Sequence, residues 1–135
     1  MIREANASDI MAIRALMQSV PGFWQQRWSD ETIAAAIESA QGLAFVWEDN
    51  SRTLGFVCAH DLGFRAYLSE LVVDESARGQ GIATRLVRAV EEALGGSGQQ
   101  ILIADVWREA EPFYRSLGWE APDAVLLRQR LKAGE

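Results

Sequence analysis

The sequence predicts an α/β fold in which one mixed, mostly antiparallel sheet is flanked by helices. Residues 53–61 alternate in polarity, which is typical of a half-buried strand. Residues 82–94 form an amphipathic helical pattern between two apolar, strand-like runs, and such a strand–helix–strand unit predicts a parallel pair. Because 135 residues suit one domain, we expect a single domain over residues 1–135.

The remaining elements follow from periodicity and from turn residues. Asn6 or Ser8 can cap a first helix, and Ser29 or Asp30 a second, which Gly42 closes. The first half of the chain is predicted to form a strand over residues 2–5, helices whose apolar positions lie within 10–20 and 33–40, and strands over 43–47, 53–61 and 64–73. The second half is predicted to form a helix over 82–94, a buried strand over 101–106, a helix over 109–117 and a closing strand over 124–131.

Composition disfavours several classes of function. The net charge of −6 and the pI of about 4.8 oppose binding to nucleic acid. With one cysteine, Cys58, and one histidine, His60, neither an internal disulfide nor a metal site is expected. No apolar run has the length of a membrane span, so we expect a cytoplasmic protein that does not bind membranes.

The segment from Glu70 to Thr84 carries the strongest chemical signal. An apolar strand runs into a loop with glycines at 79 and 81 and then directly into a helix. The unpaired amides of a helix N-terminus form an anion site, and Arg78 adds a fixed positive charge there. The alternative is a turn whose glycines serve geometry only. Ile82 excludes a P-loop, and Thr84 departs from the dinucleotide fingerprint.

One nucleotide-related pattern does fit this loop. Residues 78–83, Arg-Gly-Gln-Gly-Ile-Ala, match the acetyl-CoA signature Gln/Arg-x-x-Gly-x-Gly/Ala, so the chain resembles the GNAT superfamily of N-acetyltransferases. The strand over residues 68–74 has the form that precedes this loop in the family. Residues 109–119 resemble its second signature, and the order of elements agrees over the full chain.

The resemblance implies an acetyl-CoA site where a parallel strand pair splays apart. The pyrophosphate would bind Arg78, Gly79, Gln80, Gly81, Ile82, Ala83 and Thr84, and the pantetheine arm would pair with Leu71, Val72 and Val73. A backbone amide of Leu71 or Val72 would polarise the acetyl carbonyl. The implied reaction is direct attack of a primary amine, of a small molecule or a protein, on the thioester in a ternary complex.

The resemblance also implies two proton transfers. Tyr114 falls on the family's tyrosine position and is the candidate acid for the leaving thiolate, while Glu70 is the candidate base. His60 or a water relay is an alternative base. Cys58 has no recognisable activating partner in the sequence, so an acyl-cysteine route is not expected.

Several features of the sequence allow more than one interpretation. Trp107 stands where the family often has a cofactor-binding Asn, which puts that contact in doubt. The aromatic residues Phe23, Trp24, Trp28 and Phe64 fit an acceptor pocket and core packing equally well. Acidic composition favours a cationic acceptor. A catalytically silent acyl-CoA sensor and a partner-binding module on the same fold are the alternative functions, and the oligomeric state, a homodimer included, is open.

Overall fold

The protein, in a computed structural model that describes residues 1–132, contains a five-stranded sheet in the order β1-β2-β3-β4-β5. The first four strands pair antiparallel, and β5 pairs parallel with β4. The strands are β1 (Ile2–Glu4), β2 (Ala44–Asp49), β3 (Arg52–Asp61), β4 (Ala66–Val73) and β5 (Leu102–Ile103). The predicted mixed, mostly antiparallel sheet is confirmed.

Helices lie against both faces of this sheet. They are α1 (Ile10–Ser19), α2 (Asp30–Ala40) and α3 (Ile82–Gly96). A short fourth helix, α4 (Glu111–Ser116), follows β5 along the chain. Residues of α1 and α2 share one buried cluster with Phe56, Cys58 and Val72 of the sheet. On the opposite face, a Cβ added to Gly55 would lie 2.9 Å from both Ile82 and Leu86, so α3 packs directly on the β3 backbone. Glycine is required there because α3 leaves no room for a side chain.

The antiparallel strands are shaped by one tight turn and by two register shifts, one of which lies between Trp47 and Glu48 of β2. Asn50 and Ser51 both adopt positive φ and connect β2 to β3, as two-residue hairpins require. Between β3 and β4 the pairing passes from Cys58–Glu70 to Ala59–Leu68, so Ser69 is the extra residue of a bulge in β4. A bulge re-aims neighbouring side chains and strengthens the local twist.

Two predicted strands are wrong in extent or in kind. The buried strand expected over residues 101–106 is reduced to Leu102–Ile103, and Ile101 and Ile103 are exposed. The closing strand expected over residues 124–131 does not form, and the apolar residues of that segment are exposed: Val125, Leu126, Leu127 and Leu131. The apolar pattern indicated strands, but a strand needs a paired neighbour, and no partner is present for this segment in the described part of the chain.

The described residues group into two compact units. One runs from Met1 to Ala104 and holds the whole sheet with α1, α2 and α3. The other begins at Asp105 and holds α4. Among residues 1–132, no helix has the length and apolar character needed to cross a membrane.

Candidate acetyl-CoA and acceptor site

The glycine loop after β4 is built for backbone exposure. Gly79 and Gly81 have φ values of 80° and 78°, which side chains rarely adopt, and a Cβ at either position would meet nothing within 4 Å. Their role here is therefore conformational, since packing leaves room for a side chain. Asp74 fixes the entry to the loop by accepting hydrogen bonds from the Ser76 amide at 2.9 Å and the Ser76 hydroxyl at 2.6 Å. These bonds hold the pKa of Asp74 below its usual value.

The loop delivers the N-terminus of α3 to the surface. Gly81 is the N-cap, and no side chain caps this end of the helix. The first helical hydrogen bond runs from the Arg85 amide to the Gly81 carbonyl at 3.1 Å, so the amides of Ile82, Ala83 and Thr84 have no acceptor within the helix. Residues 78–81 are exposed, whereas Ile82 is buried and anchors the helix. This arrangement can bind an anion through backbone amides, with Arg78 adjacent.

The strand that leads to this loop has an open edge. The β5 strand pairs only with Ala66 and Tyr67 at the start of β4. On the other side, β4 remains paired with β3 through Val73. Within residues 1–104, no strand pairs with residues 71–73 on the β5 side. An extended ligand with amide groups can add to such an edge, and Leu71, Val72 and Val73 lie on it.

Glu70 and Leu71 point to different sides of the sheet. Cross-strand partners share a face, and Glu70 pairs with Cys58, whose side chain is buried with α1 and α2. Leu71 pairs with Val57 and so belongs to the α3 face. The structure therefore places the half-buried side chain of Glu70 on the face formed with α1 and α2.

A polar cluster, which we call the serine–histidine cluster, joins α2, β3 and β4 on that same face. It consists of Ser39, His60 and Ser69. The Nδ1 atom of His60 lies 2.9 Å from Ser39 Oγ, and its Nε2 atom lies 2.9 Å from Ser69 Oγ. Sequence reasoning singled out His60 but missed both serines. No sequence pattern predicts the bulge that positions Ser69, and no periodic pattern predicts that Ser39 of α2 contacts His60.

Cys58 borders this cluster and is fully buried. Its Sγ lies 3.7 Å from His60 Nε2, so the structure supplies the histidine neighbour that the sequence did not reveal. Burial nevertheless raises the pKa of the thiol to about 12, and the nearby Glu70 carboxylate adds to the shift, while a hydrogen bond with Ser69 opposes it. A thiol with this pKa stays protonated near pH 7, which argues against an acyl-cysteine route.

Tyr114 lies in the second unit, and its ring is almost fully buried. Phe113 and Trp119 contact it in edge-to-face geometry, with centroid distances of 5.1 Å and 5.0 Å. Burial raises the pKa of the phenol to about 12. The group is therefore protonated near neutral pH, as an acid must be, but it is a weaker acid than an exposed tyrosine. Trp107, which precedes this helix, is 57% exposed.

The aromatic residues of the α1–α2 connection form a compact group. Trp24 and Phe23 meet Trp28 edge to face, at centroid distances of 5.6 Å and 6.3 Å, and all three are half-buried against the core. Phe64 is 93% exposed and stands apart in the turn before β4. Among the described residues, no group of three potential metal ligands comes together.

Comparison with known proteins agrees with this geometry. The family model described as Acetyltransferase (GNAT) family matches residues 10–119. N-alpha-acetyltransferase 30 of Schizosaccharomyces pombe is 37% identical over 84 residues, which are 56% of this chain and 56% of that protein. The chain thus spans about half the length of this curated relative.

Two solved structures show the same fold. The PaiA N-acetyltransferase of Thermoplasma acidophilum, in complex with coenzyme A, has a TM-score of 0.80 at 17% identity, covering 93% of this chain and 92% of that one. The ribosomal-protein-S18-alanine N-acetyltransferase of Escherichia coli has a TM-score of 0.74 at 25% identity, covering 87% and 76%. With the family match spanning most of the chain, the protein belongs to the acetyltransferase (GNAT) family.

Proposed function

We propose that the protein transfers the acetyl group of acetyl-CoA to a primary amine by direct attack in a ternary complex. The observation that carries the proposal is the continuity of two features. The open edge of β4 at residues 71–73 is joined to the uncapped N-terminus of α3 by the short connection of residues 74–80. This continuity suits a long ligand with an amide-bearing arm and a pyrophosphate at one end.

The cofactor-binding residues divide by the kind of group they offer. Leu71, Val72 and Val73 would offer backbone groups to the pantetheine arm, and one amide there would polarise the acetyl carbonyl. The pyrophosphate would lie on the loop and the first helical turn, which are Arg78, Gly79, Gln80, Gly81, Ile82, Ala83 and Thr84. Because most of these contacts use the backbone, only Arg78 contributes through the charge of its side chain.

Glu70 and Tyr114 are the residues proposed for the two proton transfers. The Glu70 carboxylate would attract the acceptor ammonium and take its proton, which leaves a neutral amine able to attack the thioester. Tyr114 would donate a proton to the departing sulfur. The raised pKa of Tyr114, about 12, supports its being protonated at the start of the reaction. The same raised pKa makes Tyr114 a weaker acid and so limits how much it can accelerate departure of the thiolate.

The acceptor belongs to the amine class, with either a small-molecule amine or a protein amino group as its source. The half-buried aromatic group of Phe23, Trp24 and Trp28 suits the aliphatic part of such an acceptor, and the net charge of −6 favours a cation. The single thiol, Cys58, is buried and free, and we propose a cytoplasmic location. No metal or nucleic acid enters the proposal.

A thiol-release assay tests the proposal. Purified protein is mixed with acetyl-CoA and a panel of polyamines, amino acids, aminoglycosides and peptides, and free CoA is followed with time. We expect release that depends on one class of amine. Binding of CoA without release for any amine would favour the silent sensor instead. Absence of CoA binding would leave only a partner-binding role for the fold.

A further inference from the structure

The serine–histidine cluster can hold His60 in either protonation state without moving a heavy atom. Ser69 Oγ lies 3.2 Å from the Cys58 carbonyl, and Ser39 Oγ lies 3.2 Å from the Ala36 carbonyl. When both hydroxyls donate to these carbonyls, both can accept from the ring, which then carries protons on Nδ1 and Nε2. When the ring is neutral, rotation of one hydroxyl supplies the missing donor.

We propose that His60, reached through the Ser69 hydroxyl, holds the proton released by the acceptor amine during acetyl transfer. The inference rests on the proposed function and refines one step of it, because the proton does not remain on Glu70. A carboxylate ordinarily keeps a proton only well below pH 7, whereas an imidazole can take one up near neutral pH.

Ser69 is adjacent to Glu70 in the chain and contacts His60. Ser69 and Glu70 are consecutive residues of the β4 bulge, so the hydroxyl and the carboxylate belong to the same two-residue irregularity. From there the hydroxyl contacts His60 Nε2 at 2.9 Å. Bulges commonly occur beside active sites because they redirect side chains in this way. The neighbouring Cys58 thiol, with its pKa raised to about 12, stays neutral and does not compete for the proton.

The transfer balances atom by atom. One N–H bond of the ammonium breaks as its proton passes to the Glu70 carboxylate, and the carboxyl proton then moves to Ser69 Oγ. At the same time the original Ser69 proton moves to His60 Nε2, so Ser69 ends with one proton as it began. The Nδ1–H of the resulting imidazolium donates to Ser39. After the product leaves, the Nε2 proton returns through Ser69 to water, and the ring is neutral again.

The test uses substitutions that keep the hydrogen bonds but remove the ability to take up a proton. In His60→Gln the amide can still bond Ser69, yet it cannot be protonated near pH 7. With saturating acetyl-CoA and amine, we expect the single-turnover rate to fall about tenfold or more, since acid–base groups typically contribute 10²–10⁴-fold. The Kd for acetyl-CoA should not change. Ser69→Ala should cause a similar loss, and combining both should add little.

Ser39→Ala has a matched control in Ser19→Ala. Both serines are exposed, lie near the end of a helix and donate to the carbonyl three residues earlier, but only Ser39 contacts the histidine. We expect Ser39→Ala to slow turnover less than His60→Gln does, and Ser19→Ala to leave it unchanged. The turnover rate should also be measured in mixtures of H₂O and D₂O. A plot of rate against deuterium fraction should be curved for the wild type and linear for His60→Gln.

The outcomes separate this inference from the proposed function. A wild-type protein that binds no acetyl-CoA or acetylates no amine refutes both. If His60→Gln and Ser69→Ala both turn over at the wild-type rate, the role of His60 is refuted, whereas the proposed function is not. Slower turnover with an unaltered deuterium dependence would show that the cluster is only structural, and would also overturn the inference.

Discussion

The glycine loop, which follows β4, and the serine–histidine cluster, which includes Ser69 in the middle of β4, contrast in how they are built. The loop is exposed and offers backbone amides, and its two key glycines are needed for their φ values of 80° and 78°. The cluster is built from side chains, is partly buried, and connects three separate elements through distances of 2.9 Å. Substitutions in the loop should therefore change affinity, whereas substitutions in the cluster should change rate.

The contrast is sharpest at Gly81, where we expect the largest effect. Gly81→Glu introduces a strained residue and a negative charge at the amides that would receive the pyrophosphate, so affinity for CoA should fall about 100-fold or more. Gly98→Glu is the matched control, since Gly98 also has a positive φ and no neighbour within 4 Å of an added Cβ. Calorimetry should show normal affinity in the control. Equal losses in both variants would indicate general strain instead of a local site.

Tyr114 extends the comparison to the second unit, with an intermediate effect. Tyr114→Phe removes only the hydroxyl, so packing against Phe113 and Trp119 should persist. We expect kcat to fall about tenfold, less than the 10²–10⁴-fold that is typical of a general acid, because the raised pKa weakens proton donation. Acetyl-CoA affinity should change little. A kcat equal to that of the wild type, when chemistry limits the rate, would make Tyr114 a packing residue.

Cys58 gives the smallest effect on turnover but a measurable effect on stability. Its pKa is raised from 9.0 to about 12 in the folded state, so between these values the unfolded chain has lost a proton that the folded chain keeps. The free energy of unfolding should therefore fall as pH rises from 9 toward 12. In urea titrations, Cys58→Ala should reduce this loss of unfolding free energy with pH. The raised pKa of Tyr114 will still cause some loss above pH 10. The turnover of Cys58→Ala should remain within about twofold of the wild type. Trapped acetyl-cysteine in the wild type would contradict this account.

The same contrast explains what the sequence could reveal. The loop was predictable because its chemistry follows from local backbone conformation, and glycines before an amphipathic helix record that conformation directly. The cluster was not, because Ser39, His60 and Ser69 come together only through sheet register, a bulge and helix packing. The antiparallel strands were likewise predictable from alternation. The strands expected at residues 101–106 and 124–131 were wrong in extent or did not form, because an apolar run does not specify whether a partner strand is present.

Backbone NMR during a titration with acetyl-CoA tests the central claim most directly. The account predicts the largest amide shifts at residues 79–84 and along residues 71–73, since these amides would bind the pyrophosphate and the pantetheine arm. Amides of β1, at the far edge of the same sheet, should not respond. Saturable binding whose shifts avoid the glycine loop, or no shifts at millimolar acetyl-CoA, would contradict the assignment of this loop as the acetyl-CoA site.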